Sequence, residues 1–277
     1  MSPPPPAPRR FNWGRLILAA LWIGGLGALL AMALGLAPAP PLGVVGIVLG
    51  LCVTIAIGCI SQRCGFFARP VVRVRGLTDG QLALTFDDGP DERFTPAVLE
   101  LLAAAGQRAT FFVVGQRVRR HPELARRILA EGHELGNHTL DHPWHLALWA
   151  PRRIAAQLTA ANTLIEELTG VAPTLFRSPA AVLSPRLDAG VRAAGLTLVG
   201  YSVRSGDGSP VVSGAAALAV LRWGLRPGAI LTLHDAAVGG RAPAALELLP
   251  RLLDELEARG LRSVTVSELL RAAPHDP

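Results

Sequence analysis

Two adjacent carboxylates, Asp87 and Asp88, lie in the segment TFDDGP at residues 85–90. The apolar residues before them predict a strand over 81–86, and Gly-Pro predicts a turn directly after it. A strand alone would point the two carboxylates to opposite faces, whereas a turn beginning there can direct both into one cavity. Because neighbouring carboxylates repel each other, two in one small site need a cation or different protonation states. The pair therefore predicts a site in which one Asp binds a metal ion and the other acts as a base.

Two of the seven histidines, His138 and His142, are four residues apart. On a helical turn this spacing places both imidazoles on one side, where they can bind one metal ion. With Asp88 they would form a set of two histidines and one carboxylate that leaves positions open for water and substrate. A divalent cation bound there lowers the pKa of a bound water and polarises a carbonyl group. Asp87 could then accept a proton from that water, and His234, which ends the run ILTLH, could protonate the leaving group.

Short apolar runs alternate with amphipathic stretches from about residue 78 onward. This alternation predicts an α/β fold with a parallel sheet, closed or open. The segment 151–169 has the clearest helical pattern, because Pro151 suits its first turn and Gly170 follows its end. The predicted strands are 81–86, 109–114, 173–177, 196–203, 228–234 and 261–265. The predicted helices are 95–105, 122–131, 151–169, 185–194, 213–223, 248–259 and 266–272.

Four side chains with catalytic potential fall at or just beyond the ends of predicted strands, namely Asp87, Arg177, Asp207 and His234. Folds built on parallel sheets bind their ligands at the carboxyl ends of the strands. We therefore expect these side chains to share one site with the predicted metal ligands.

Two long uncharged segments, 16–36 and 42–60, precede this region and are separated by a Pro-rich turn at 37–41. Each is long enough to cross a bilayer as a helix, which takes about 20 residues. They predict a transmembrane hairpin, with a signal peptide as the alternative. The chain then divides into a Pro/Arg-rich tail at 1–15, the hairpin at 16–60, a basic linker at 61–77 and a catalytic domain at 78–274.

The net charge of +6 is carried entirely by arginine, since the chain contains no lysine. Arginines precede the first apolar segment and follow the second, so the positive-inside rule predicts a two-helix protein of the cytoplasmic membrane with its catalytic domain on the cytoplasmic side. These arginines would also favour anionic lipid headgroups. Nothing in the sequence resembles a nucleic-acid-binding stripe. The three cysteines lie in or beside the second apolar segment, so they predict neither a disulfide framework nor a cysteine metal site.

Taken together, these motifs resemble those of the polysaccharide deacetylases, the NodB-homology domain or carbohydrate esterase family four. The resemblance spans about residues 78–270 and is carried by TFDDGP at 85–90, His138-Thr139-x-x-His142, Arg177 and the Leu-x-Leu-His that ends at His234. It implies a deformed (β/α) barrel and metal-dependent hydrolysis of N- or O-acetyl groups on sugars.

The resemblance also implies a role for each site residue. Asp87 is the base and His234 is the acid. The metal ion, often zinc, is held by Asp88, His138 and His142. Arg177 orients Asp87, and Asp207 adjusts His234.

Three motifs depart from the family pattern. The family's Arg-Pro-Pro-Tyr-Gly is RSPAA at 177–181, and its Asp-x-x-Asp-Trp is RSGDG at 204–208, while Thr232 stands where a Leu normally lines the acetyl pocket. The backbone N–H of Ala180 can still hold an oxyanion, although the aromatic side chain is lost. The groups that perform the chemistry are kept and those that shape the pocket are changed. We therefore expect hydrolysis of a substrate other than a plain chitin-like polymer.

The sequence predicts a membrane-anchored, metal-dependent hydrolase that removes an N-linked acyl group, with acetyl expected, from an amino sugar in a glycan or on a lipid carrier. Its expected partners are this sugar substrate and membrane lipid, without nucleic acid. Zinc is the expected cofactor, and cobalt, manganese or nickel would also suit the ligands. The alternatives are an O-acetyl deacetylase, an extracytoplasmic peptidoglycan or chitin-type deacetylase, and an inactive sugar-binding module. A binding module would need neither an acid nor a base.

Overall fold

The structure is a computed structural model that describes residues 13–35, 42–209, 211–237 and 242–273. The chain divides into two units, residues 1–59 and 60–277. Most of the predicted N-terminal tail and the Pro-rich turn at 37–41 lie outside the described residues.

Two helices, α1 (Trp13–Ala33) and α2 (Leu42–Ile60), occupy the segments predicted to form a transmembrane hairpin. The uncharged, apolar composition of these segments is sufficient for helices, and helices form. Within the described parts of the chain, however, no helix is long and apolar enough to cross a membrane. The structure therefore gives the predicted hairpin no support.

The second unit is built on a parallel sheet, as predicted. Its strands are β1 (Gln81–Asp87), β2 (Ala109–Val113), β3 (Glu134–Asn137), β4 (Leu175–Phe176), β5 (Thr197–Leu198), β6 (Val203–Arg204), β7 (Ile230–His234) and β8 (Arg262–Ser263). Their order is β5-β4-β3-β2-β1-β7-β6, and β8 pairs with the first residues of β1. The helices of this unit are α3 (Thr95–Ala104), α4 (Gly115–Arg120), α5 (Pro122–Ala130), α6 (Pro151–Thr169), α7 (Pro185–Ala193), α8 (Gly214–Gly224), α9 (Ala245–Ala258) and α10 (Val266–Arg271).

The sheet is curled, because its two outermost strands are close in sequence. Strands β5 and β6 end the strand order on opposite sides, yet Leu198 and Val203 are separated by only five residue steps. Five residues span at most about 18 Å, whereas seven strands lying flat would place the outer two about 29 Å apart. The sheet must therefore curve into a half-barrel, which agrees with the barrel-like fold that was predicted.

The segment 61–77, predicted as a linker, lies between the two edges of this half-barrel and contacts both sides. Val71 forms a bridge to Val199, just after β5, and Arg73 forms a bridge to Ala229, just before β7. Val74 is buried in the inner apolar cluster of the sheet. This segment is thus part of the second unit's structure.

Successive side chains along each strand point alternately to the outer and the inner face of the sheet. Leu84, Phe86 and Leu233 belong to a large apolar cluster that includes the surrounding helices. Their neighbours Ala83 and Ile230 belong to a separate inner cluster. The same alternation assigns Asp87 and His234 to the inner face, at the carboxyl ends of β1 and β7. The two residues are direct register partners, so the base and acid predicted from the sequence lie on adjacent strands.

Strand β3 was not predicted, and β5 and β6 were predicted as one strand, 196–203. Strand β3 contains Gly136 and Asn137, which have low strand propensity, so its residues gave no strand signal. A Cβ at Gly136 would come within 2.5 Å of the Phe112 ring, so packing against β2 requires glycine there. Between β5 and β6, a Cβ at Gly200 would come within 2.6 Å of the Gln62 amide oxygen. Contacts between residues far apart in sequence therefore determine both strand β3 and the break between β5 and β6.

Candidate metal centre and acid-base site

The turn after β1 directs both carboxylates into the site, as the sequence predicted. Asp87 is the last residue of β1, and Asp88 has a left-handed backbone with φ of 76°. This conformation interrupts strand alternation, so Asp88 need not point to the face opposite Asp87. The next residue must be glycine, because a Cβ at Gly89 would lie 2.3 Å from a carboxylate oxygen of Asp235.

Asp88, His138 and His142 form a compact cluster of potential metal ligands. Asp88 Oδ1 is 3.3 Å from His138 Nε2 and 3.1 Å from His142 Nε2. One ligand atom from each residue lies within 4.8 Å of the others. Burial by itself raises the pKa of Asp88, but hydrogen bonds and charge from both imidazoles outweigh burial and hold this pKa well below its usual range. The structure therefore brings together the three residues predicted to bind the metal ion.

The ring orientation of His138 suits metal binding. Its Nδ1 is 2.9 Å from the carbonyl oxygen of Arg177. A carbonyl oxygen can only accept, so Nδ1 donates to it, and Nε2, which faces Asp88, is the ring nitrogen left to bind a metal ion. Metal-binding histidines are commonly oriented by such a second hydrogen bond. The two nitrogens and one carboxylate of the cluster therefore fit a divalent cation.

The histidine pair lies on a loop rather than on the helical turn that its spacing predicted. His138 directly follows β3, and both Thr139 and His142 are left-handed, with φ of 74° and 56°. Two side chains form this loop. Asn137 Oδ1 accepts from Thr139 N at 2.7 Å, and Thr139 Oγ1 accepts from His142 N at 2.9 Å. Such local side-chain bonds compete with helix formation, although the ring centroids still lie 5.0 Å apart.

Asn137 also ties this loop to α6 and was not predicted as a site residue. Its Nδ2 donates to Leu158 O at 2.9 Å and to Asn162 Oδ1 at 2.6 Å. The only sequence signal was its position directly before His138. The metal loop is therefore anchored to a neighbouring helix by a buried amide.

Arg177 holds the predicted base, Asp87. The guanidinium Nη1 donates to Asp87 Oδ1 at 2.7 Å and to Thr85 Oγ1 at 2.6 Å, while Nη2 donates to Gly200 O at 2.9 Å. The guanidinium carbon also lies 4.1 Å from the centre of the Phe112 ring. Both charged side chains are nearly inaccessible to solvent. This ion pair fixes one carboxylate oxygen of Asp87 and leaves the other without a partner among the described residues.

Asp207 holds the predicted acid, His234. Asp207 Oδ1 is 2.8 Å from His234 Nδ1, and Oδ2 accepts from the His234 backbone N–H at 2.9 Å. Burial alone lowers the pKa of His234. The hydrogen bond and charge of Asp207, with the charges of Asp87 and Asp88, raise that pKa to about 9. The imidazole is therefore protonated at neutral pH, as an acid must be.

We expect Asp207→Asn to move the alkaline limb of the pH–kcat profile to lower pH. In the wild type, kcat should fall as pH rises through about 9, where His234 loses its proton. Asn removes the negative charge that raises this pKa, so the limb should move toward the ordinary histidine value of about 6.5, and kcat at pH 8 should fall about tenfold or more. A profile from pH 6 to pH 10 measures the shift, with the exposed Asp254→Asn as control. An unmoved limb would refute this role of Asp207.

Asp235 is a buried carboxyl that was not predicted as a site residue. Its Oδ2 accepts from Thr95 Oγ1 at 2.6 Å, and its Oδ1 has no partner in the described parts of the chain. Burial raises the pKa of Asp235 to about 7. Because its carboxyl packs directly on Gly89, this residue supports the turn that carries Asp88. Its position immediately after His234 was the only available signal.

The loop after Arg177 has an unusual backbone at two alanines. Ala180 has φ of 53° and Ala181 has φ of 60°, both in the left-handed region. Each such residue costs about 1–2 kcal/mol relative to a right-handed conformation. The Ala180 N–H donates to no acceptor within the described residues, so it is available to a substrate oxygen.

Other departures from the family pattern lie near the acid. Thr232 is buried two residues before His234, and its hydroxyl is 3.5 Å from that of Thr85. Arg204 is the register partner of Thr232 on β6 and is exposed. A Cβ at Gly208 would lie 3.1 Å from the His234 ring. The surroundings of the acid therefore combine a buried hydroxyl, an arginine and a glycine.

Comparisons with known proteins agree with this geometry. A family model described as polysaccharide deacetylase matches residues 75–199. A peptidoglycan-N-acetylglucosamine deacetylase of Bacillus cereus is 34% identical over 192 residues, which are 69% of this chain and 88% of the relative. A chitooligosaccharide deacetylase of Rhizobium leguminosarum bv. trifolii is 35% identical over 204 residues, 72% of this chain and 86% of the relative.

Solved structures show the same similarity. A family 4 acetyl xylan esterase from Clostridium thermocellum, in complex with a cobalt ion, is 34% identical with a TM-score of 0.64, covering 71% of this chain and 94% of that one. The peptidoglycan deacetylase PdaC from Bacillus subtilis is 30% identical with a TM-score of 0.61, covering 70% of this chain and 92% of that one.

Proposed function

Because this chain belongs to the polysaccharide deacetylase family of hydrolases, we propose that it removes an N-linked acyl group, with acetyl expected, from an amino sugar. One observation carries the proposal. Asp87 and His234 are register partners on adjacent strands, and each is held by its own buried partner, Arg177 and Asp207. Hydrolysis of an amide requires one group that accepts a proton and another that donates one.

Asp88, His138 and His142 would hold the divalent cation, which when bound polarises the acyl carbonyl and lowers the pKa of a water. Zinc is the proposed ion, since two imidazoles and one carboxylate suit it, and cobalt, manganese and nickel also accept these ligands. The similar acetyl xylan esterase was solved with cobalt.

In the proposed mechanism Asp87 accepts a proton from the attacking water. Arg177 keeps this carboxylate oriented by donating to its Oδ1. The free N–H of Ala180 can donate to the oxygen of the acyl carbonyl as negative charge develops there. These three groups together promote formation of the tetrahedral species.

His234 then completes the reaction. It is protonated below about pH 9 and donates its proton to the nitrogen of the leaving amine as the carbon–nitrogen bond breaks. Asp207 keeps the ring oriented through Nδ1 and stabilises its positive charge. The products are a carboxylate and the free amine of the sugar.

The proposed substrate is an amino sugar in a glycan or on a lipid carrier. The relatives named above act on peptidoglycan N-acetylglucosamine and on chitooligosaccharides. This chain differs at the positions that shape the family's pocket, with Ala180, Arg204 and Thr232 in place of the usual residues. These changes support a substrate that differs from a plain chitin-like polymer.

A substrate panel tests the proposal by measuring released acetate. We expect release from N-acetylated amino sugars, and faster release from lipid-linked ones than from free chito-oligosaccharides. Efficient cleavage of free oligosaccharides together with none of lipid-linked sugars would refute the lipid-carrier substrate. The similarity to an acetyl xylan esterase favours an O-acetyl ester as the second candidate, and release from acetylated xylan alone would establish it. No release from any substrate would indicate a sugar-binding module.

We also propose that membrane lipid is a partner and that the catalytic unit lies on the cytoplasmic side. Both proposals rest on the distribution of arginines around the two apolar segments. A reporter fused to the C-terminus tests the position. Activity of the reporter only outside the cytoplasm would contradict it and favour an extracytoplasmic peptidoglycan or chitin-type deacetylase.

A further inference from the structure

Gln62 connects the segment before the sheet to the loop that carries Ala180. Its Nε2 donates to the carbonyl oxygen of Ala181 at 2.6 Å, across 119 residues of sequence. The side chain is buried, with 9% of the residue exposed. Gln62 lies outside residues 75–199, where the family model matches, so the family pattern does not include it.

The loop needs such a restraint because two consecutive alanines are left-handed. In the family pattern a glycine stands at the position of Ala181, and glycine adopts positive φ without a steric penalty. Alanine does so only where the surroundings hold it. The loop's own hydrogen bonds are few. Ala181 N donates to Ser178 O at 3.1 Å, and Ser178 Oγ donates to Val182 O at 3.0 Å.

The same side chain also packs against the support of the base. A Cβ at Gly200 would come within 2.6 Å of Gln62 Oε1, so the amide lies directly on this glycine. Gly200 O in turn accepts from Arg177 Nη2 at 2.9 Å. Gln62 is therefore placed between the Ala180 loop and the backbone that fixes Arg177.

We propose that Gln62 is a positioning residue that holds the Ala180–Ala181 backbone so that the Ala180 N–H is directed at the developing oxyanion. This inference rests on the proposed function, in which that N–H is a catalytic donor. Gln62 would hold alanine in a left-handed backbone conformation that the glycine of the family pattern adopts without such a restraint.

The first test replaces Gln62 with Met, which keeps length and volume but removes the donor. Complete loss of an oxyanion donor lowers kcat by about 10²–10³-fold, and we expect misplacement of this one to lower kcat about tenfold with KM changed less than about twofold. Metal content should not change, because the metal ligands are not touched. Gln107→Met is the matched control, since Gln107 Nε2 also donates to a backbone carbonyl, that of Ala105. It should leave kcat unchanged.

A second variant distinguishes positioning from packing. In the Ala181→Gly background the left-handed conformation carries no steric penalty, so Gln62→Met should lower kcat less than about threefold. Loss of kcat by the same factor in both backgrounds would overturn the proposal, as would a Gln62→Met variant with wild-type kcat.

Hydrogen–deuterium exchange gives a readout that does not depend on the substrate. We expect the amides of residues 180–182 to exchange faster in Gln62→Met than in the wild type, and unchanged exchange would overturn the inference. Failure of the proposed function has a different signature, because acetate release would then be absent from the wild type and from Gln107→Met as well.

Discussion

Replacing Asp87 with Asn is expected to lower kcat by about 10²–10⁴-fold, the usual contribution of general acid–base catalysis, with little change in bound metal. Asn keeps the shape of the side chain, and its amide oxygen can still accept from Arg177. It cannot take a proton from water at neutral pH. Measuring kcat and metal content on the same preparations separates loss of the base from loss of the metal ion.

The same substitution should also lower stability, because Arg177 is buried and would lose its charged partner. Breaking one side of a buried ion pair costs about 3–5 kcal/mol, which thermal unfolding measures. Asp254→Asn, on the exposed face of α9, is the control and should leave both activity and stability unchanged. Activity of Asp87→Asn within about threefold of the wild type would contradict the assignment of Asp87 as the base, since a lost base costs at least about 10²-fold.

Adjacent residues alone were enough to predict the strand and turn that carry the two carboxylates. The TFDDGP segment predicted a strand and a turn, and the left-handed Asp88 provides that turn. Asp87 and His234 were expected to share a site at the strand ends, whereas their direct register on adjacent strands was not predicted. The ion pair of Arg177 with Asp87 came from the family resemblance, because nothing local indicates a contact across 90 residues.

The predictions were wrong or incomplete where distant contacts or alternative turns decide the structure. A spacing of four residues suits a helical turn, but the side chains of Asn137 and Thr139 stabilise a loop that also brings the two histidines together. Asp235 and Gln62 had no recognisable motif. Their importance arises from contacts with Gly89 and Ala181, which only the folded chain brings near.

The apolar N-terminal segments were interpreted from composition alone. Their uncharged composition predicted both helices and a membrane span. The helices are present, whereas the described residues contain no helix that is long and apolar enough to cross a membrane. Composition thus predicted the local helical conformation of both segments.

Removal of the metal ion should have the largest effect of all. Asp88, His138 and His142 are within reach of one cation, and the hydrogen bond from His138 Nδ1 to Arg177 O leaves Nε2 as the ligand atom. Without the cation no group among the described residues replaces its effect on the acyl carbonyl, so hydrolysis should fall to the level of a protein-free blank. Reloading with zinc or cobalt should restore it at one ion per chain.

The most direct test of the account is acetate release from an N-acetylated amino-sugar substrate by wild-type protein before chelation, after chelation and after reloading. His138→Ala should bind no stoichiometric ion and should not recover, whereas His121→Ala, a histidine outside the cluster, should behave as the wild type. We predict loss of acetate release on chelation and recovery on reloading. Undiminished acetate release from protein that retains no metal would contradict it.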